Sequence, residues 1–173
     1  MWELQSLMGS TGRRIALQTR LGRDIDNAII DTISEKAIRD YELLLKRHGA
    51  NWKRRSPPTA AYNCAGHVWA TRRTGIYEPS DWEAILDDDG YRITKNPQPD
   101  DLIIYADKKD GILHIGRVIA MVPGVTPESP AIAKVVSKWG CGTGEVVHLQ
   151  HDTPYPRLGF DVRWDYWTDR PDG

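Results

Sequence analysis

The sequence predicts an α+β domain, and three observations carry the prediction. Apolar residues recur at helical spacing early in the chain, and short apolar runs separated by turn residues fill the part after residue 100. A cysteine stands between the two patterns, at the start of a short apolar stretch. Helices first and antiparallel strands later is an α+β order, not the alternation of βαβ units. The length of 173 residues suits one domain with its own core.

Residues 1–23 are rich in Gly, Ser, Thr and Arg without a clear period, and read as a flexible arm or a segment that orders only against the body or a partner. The single domain then runs over 24–173. Its first helix is expected over 24–49, with Asp24 as N-cap. Ile25, Ile29, Ile33, Ala37, Tyr41 and Leu44/Leu45 form the apolar stripe, and Lys46, Arg47, His48 and Gly49 close it. Residues 50–63, with Pro57-Pro58, are a connection. The core proper is expected over 60–150, beginning with a short helix at Cys64. Ser80-Asp81-Trp82-Glu83 reads as a capping box for another helix, ending at a solvated acidic run, Asp87-Asp88-Asp89. Strands are expected at Leu102–Tyr105, Ile112–Val122, Ile132–Trp139 and Glu145–Leu149, with a closing strand and tail in 150–173. Asp107 to Gly111 is the turn of a hairpin, and Gly140 to Gly144 is a second turn.

Composition narrows the function classes. Hydrophobic content of 40% with 27% charged residues is that of a soluble globular chain. The net charge of −1 hides an asymmetry: residues 1–73 hold 13 Lys+Arg against 7 Asp+Glu, so the front is basic and the remainder acidic. Lys53-Arg54-Arg55 is too short a cluster to argue for nucleic acid. There is no 18-residue apolar run and no basic-then-apolar leader, so no membrane partner is expected and the economical location is cytoplasmic. Delivery by a specialised secretion system would leave no such trace. Two cysteines, Cys64 and Cys141, are too few for a disulfide framework. The spacing of Cys and His offers no metal pattern, and neither a metal nor a cofactor is expected. Seven Trp and seven Tyr against one Phe suit the half-exposed walls of a groove as well as a core.

Cys64 is the candidate nucleophile. The free N–H groups of a helix start lower a thiol pKa, and the small neighbours Ala65 and Gly66 keep the sulfur reachable. A buried Cys packing as a small hydrophobe is the bland reading. A thiol nucleophile needs a base, and histidine fits because it titrates near neutrality. Of the five histidines, His48 reads as a helix-dipole partner, and His67 can share a helix face with Cys64. His114 lies in an apolar strand; His148 and His151 follow later.

The order of parts resembles the NlpC-like branch of the papain-like cysteine hydrolases. The matching pieces are Asn63-Cys64-Ala65-Gly66, Asp100-Asp101-Leu102-Ile103 and His114-Ile115-Gly116, over about residues 60–140. Ser137-Lys138-Trp139-Gly140 with Gly144-Glu145 looks like another bacterial group of that superfamily. The resemblance implies a papain-like core, a Cys-bearing helix packed on an antiparallel sheet. It implies Cys64 as nucleophile, His114 as base and a third polar residue on the next strand, where Ser137 falls. Serine departs from the usual His, Asn or Gln and is a poorer holder of an imidazolium; Glu145 and His148 are the alternatives. The Cys64 backbone N–H, with Tyr62 or Asn63, would meet the oxyanion. Independently of the resemblance, Trp69, Trp82 and Trp139 are candidates to wall a substrate groove, although at helix or strand spacing such residues are more often core.

The function so implied is cleavage of an amide or peptide bond through an acyl-enzyme, in a peptidoglycan amidase or a bacterial effector toxin. Its partners would be a peptide or protein substrate and a cognate inhibitor or immunity protein. Transfer to another acceptor would use the same dyad. The alternative is a catalytically silent domain of the same fold that serves as a protein-binding or immunity module.

Overall fold

A computed structural model describes residues 12–124, 126 and 129–171. Its elements are α1 (Glu35–His48), β1 (Lys53–Arg54), α2 (Cys64–Trp69), α3 (Pro79–Asp88), β2 (Arg92–Thr94), β3 (Leu102–Asp107), β4 (Gly111–Val122), β5 (Ile132–Lys138), β6 (Glu145–Leu149) and β7 (Val162–Thr168). The strands form one antiparallel sheet in the order β1-β6-β5-β4-β3-β7-β2. The molecule is therefore a mixed α/β domain compatible with the α+β expectation.

Strand alternation gives the sheet two unlike faces. Leu102, Ile104 and Ile115 point to one, where they pack with Cys64, Ala65 and Val68 of α2 and with Trp82, Ile85 and Leu86 of α3. Ile103, Tyr105, Val118 and Val135 point to the other, with Tyr41, Leu44 and Leu45 of α1 and with Trp52, Trp139 and Tyr155. Helices thus cover the sheet on both sides.

Several boundaries differ from the sequence reading. Helix α1 begins at Glu35, with Ser34 as N-cap accepting from the Ala37 amide, and not at Asp24. Residues 24–33 are extended instead: Ile29 bridges to Arg13 and Ala28 to Gly75, which suits the β-branched Ile25, Ile29 and Ile30. Part of the expected arm, residues 12–23, is ordered against the body. Leu17 packs on the core, Thr19 donates to Asp88 at 2.8 Å, and the Arg20 amide donates to Asp89 at 2.7 Å. Residues 1–11 of that arm lie outside the described residues. The acidic run at the end of α3 is therefore a clamp and not a solvated helix end. Helix α3 starts one residue before Ser80, with Glu78 as N-cap and Pro79 in the first turn, so the capping box is not used. The short edge strands β1 and β2 had no sequence signal, while β4 and β6 match their expected runs closely. The closing strand β7 inserts between β3 and β2, far from β6. The chain reaches it through a 3-10 turn, Tyr155–Leu158, whose Tyr155 lies in the aromatic layer.

Candidate functional site

Helix α2 starts at Cys64 because Asn63 stops the preceding chain and caps it. The Asn63 side-chain oxygen accepts from the Gly66 amide at 2.9 Å and from the Ile76 amide at 3.1 Å, and its nitrogen donates to the Ile76 carbonyl at 2.6 Å. Its oxygen and one of its two amide hydrogens thereby cap α2 and hold it to residue 76. Gly66 has a separate reason to be glycine. A Cβ there would lie 1.8 Å from the Thr74 carbonyl oxygen, so the helix can dock this closely only without a side chain. The sequence reading, which gave Gly66 to sulfur access, missed that backbone contact.

Cys64 is 7% exposed and unpaired. Burial pushes its thiol above the ordinary value, against the pull of the Ile115, Ala65 and Cys64 backbone N–H groups and of the Lys138 ammonium. This corrects the expectation of a thiol lowered by its helix start: the helix has only six residues, and desolvation outweighs its N–H groups. The N–H of Ile115 is the informative neighbour. It belongs to the residue directly after His114 on β4, so the sulfur meets the sheet beside the candidate base.

The His114 side chain itself joins the aromatic layer. It is 2% exposed, and its ring lies parallel to Trp139 at 3.9 Å between centroids and 15° between planes. Burial lowers its pKa well below the ordinary imidazole value, helped by the charges of His148 and of His67 on α2. Its Nε2 is buried and has no hydrogen-bond partner among the described residues. Cys64 in turn acts on Tyr155 of the same aromatic layer, whose hydroxyl donates to the Leu113 carbonyl at 3.1 Å. Cys64 thus meets β4 at Ile115 from the aliphatic cluster, while the His114 ring lies in the aromatic layer on the other face of the strand.

Trp139 covers the imidazole as a parallel plate, where an open groove wall was expected. The stack continues outward. Trp52 lies 5.7 Å from Trp139 at 12°, and His48 lies 3.9 Å from Trp52 at 13°.

Ser137, on the neighbouring strand β5, is fully buried and within 2.9 Å of His148 Nε2. His148 Nδ1 lies 2.8 Å from the Leu149 carbonyl, which can only accept. The Nδ1 therefore carries the proton, and the Ser137 hydroxyl donates to Nε2. Ser137 is bonded to His148 and not to His114.

Glu145, the other alternative, points away from this group. It accepts from Tyr62 Oη at 2.8 Å and from His67 Nδ1 at 3.1 Å, and it is paired with Arg72 and, at 3.6 Å, with Arg55. Burial alone would raise its carboxyl, but the hydrogen bonds from His67, Arg72 and Tyr62 hold it well below the usual range. Tyr62, with its hydroxyl given to Glu145 and its pKa pushed by burial up to about 12, is an anchor of this cluster. Tyr62 has no side-chain donor left for an oxyanion, and Asn63 keeps one of its two amide hydrogens beyond the bond to Ile76. The backbone adds the N–H groups of Cys64 and Ala65 at the helix start.

Lys138 fills the space between the clusters. Its ammonium donates to the carbonyls of Thr59, Gly140 and Thr143 at 2.7, 3.2 and 2.6 Å, and it sits 5.1 Å over the Tyr62 ring. This ties the Gly140–Gly144 turn to the chain leading into Cys64. A lysine in an apolar strand gave no hint of that role. Cys141, in the turn, contacts Tyr77 Oη at 3.9 Å and the Ala60 carbonyl at 3.7 Å. Among the described residues no group of three or more His, Cys, Asp and Glu could hold a metal ion, and no helix is long and apolar enough to cross a membrane. Compared with known families, curated proteins and solved structures, the chain finds no match in any of the three.

Proposed function

We propose that the chain is a cysteine hydrolase with a papain-like core, in which Cys64 attacks an amide carbonyl and His114 carries the proton. The single observation behind this reading is the Ile115 N–H set against the Cys64 sulfur, one residue past His114 along β4. The burial shifts make the resting pair a neutral thiol and a neutral imidazole, not an ion pair. Attack is then coupled to proton transfer. As the sulfur bonds to the carbonyl carbon, its proton passes to His114, and the oxyanion forms beside the Cys64 and Ala65 amides. Collapse expels the amine, which takes the proton from His114. Water, deprotonated by the same imidazole, attacks the thioester; the acid leaves and the thiol is restored.

On this reading the substrate is a peptide or protein amide, of the kind met by a peptidoglycan amidase or an effector toxin. A cognate inhibitor or immunity protein is the matching partner. Location in the cytoplasm belongs to the same proposal. The burial of Cys64 favours a second reading, a silent domain of this fold that binds another protein. Alkylation by iodoacetamide, mapped by mass spectrometry, separates the two. A catalytic Cys64 reacts in the folded protein and slows about 100-fold or more in His114→Ala, the scale of a lost general base. A structural Cys64 reacts only on unfolding, whatever stands at 114.

A further inference from the structure

We propose that His148 is a positioning residue for His114, acting through Ser137, so that three side chains and one carbonyl form a one-way chain of donors behind the candidate base. The inference rests on the Cys64–His114 reading and supplies what that reading lacks, a holder for the imidazole.

Serine is a poor holder when its hydroxyl is free to act as donor or acceptor. Here it is not free. The Leu149 carbonyl at 2.8 Å takes the His148 Nδ1 proton, which makes Nε2 an acceptor, and Nε2 at 2.9 Å takes the only proton of Ser137. What Ser137 has left is lone pairs. A hydroxyl so committed is an obligate acceptor, equivalent for this purpose to an amide oxygen.

The nearby donor in need of an acceptor is His114 Nε2, buried and unpartnered among the described residues. Ser137 and His114 stand on adjacent strands and the same face. Gly116, two residues past His114, clears the space between: a Cβ at 116 would lie 2.7 Å from Ser137 Oγ. Trp139 bridges the two histidines, parallel to His114 at 3.9 Å and tilted on His148 at 5.2 Å. In the proposed chain the His114 Nε2–H, unpartnered among the described residues of the free protein, bonds to Ser137 Oγ in the substrate complex, where catalytic hydrogen bonds tighten. The proton on Nε2 leaves the Nδ1 lone pair for the Cys64 thiol. Burial keeps His148 neutral, with a pKa lowered to about 4, so its acceptor nitrogen is retained at neutral pH.

The test begins on the unmodified full chain. Nitrogen NMR of the ¹⁵N-labelled protein at pH 7.5 should show His114 as the Nε2–H tautomer; a Nδ1–H tautomer would overturn the proposal. In His148→Phe the Ser137 proton is released and can be donated to His114, so the tautomer shifts toward Nδ1–H and Cys64 alkylation by iodoacetamide slows about tenfold or more. An unchanged tautomer and rate in that variant overturn it equally. Ser137→Asn combined with His148→Ala puts an amide acceptor in place of the pair and should bring alkylation back to within about threefold. His114→Ala with undiminished alkylation sinks the dyad itself, a failure the tautomer measurement distinguishes from a failure of the chain behind it.

Discussion

The two faces of the sheet are built from different materials. The face under α2 and α3 is aliphatic and close-fitted, with Ala65, Val68, Ile76, Leu102, Ile104 and Ile115 around a single thiol. The face under α1 is aromatic, a layer of Trp52, Trp139, Tyr105 and Tyr155 holding His114 and His148 between rings. The first face fixes where a backbone goes; the second fixes the orientation and neutrality of imidazoles. Strand β4 belongs to both, showing Ile115 to the first and His114 to the second.

The largest effect on this contrast is expected from Trp139→Ala. It removes the plate on His114 and contacts to Trp52, Tyr105, His148 and Tyr155, and should cost about 3–5 kcal/mol by chemical denaturation. A loss under about 1 kcal/mol would show the aromatic layer to be loosely packed.

On the other face, Gly66→Ala drives a methyl into the Thr74 carbonyl. Backbone cannot swing away as a side chain can, so a loss of about 2–3 kcal/mol is expected. Neutral behaviour would mean that α2 does not dock as described.

The third effect is one of pH and belongs to the aromatic face. Burial depresses His148 to about 4 from an ordinary 6.5, outweighing the Leu149 carbonyl and Asp152, which favour its charged form. The unfolded chain thus binds a proton at this residue where the folded one does not. Its contribution is complete above pH 6.5 and is lost as pH falls from 6.5 through about 4, by roughly 3 kcal/mol at most. Glu145, held low by His67, Arg72 and Tyr62, adds a loss in the same direction below its ordinary value of 4.5. Denaturation midpoints from pH 7 to 4 should fall in wild type and fall less in His148→Phe.

Much of the aliphatic face was legible in the sequence and little of the aromatic one. Cys64 at a helix start, the runs at Leu102 and Ile112 and the Gly140–Gly144 turn are local patterns, set by periodicity and turn chemistry over a few residues. The partners of Ser137 and Glu145 are not local. Ser137 finds His148 across the β5–β6 register, and Glu145 finds His67 and Arg72 more than 70 positions away. The helix expected from Asp24 failed for a related reason. Ile25, Ile29 and Ile33 keep helical spacing, yet bridges to Arg13 and Gly75 hold that stretch extended. The thiol pKa was misjudged because a helix start is visible in a sequence and desolvation is not.

The most direct measurement is the separation of Cys64 Sγ from His114 Nδ1 in a crystal structure of the protein with a peptide aldehyde bound. The account predicts a hemithioacetal on Cys64 with the two atoms within about 4 Å, near hydrogen-bond reach. An unmodified sulfur, with the two atoms well beyond hydrogen-bond reach of each other, would contradict it.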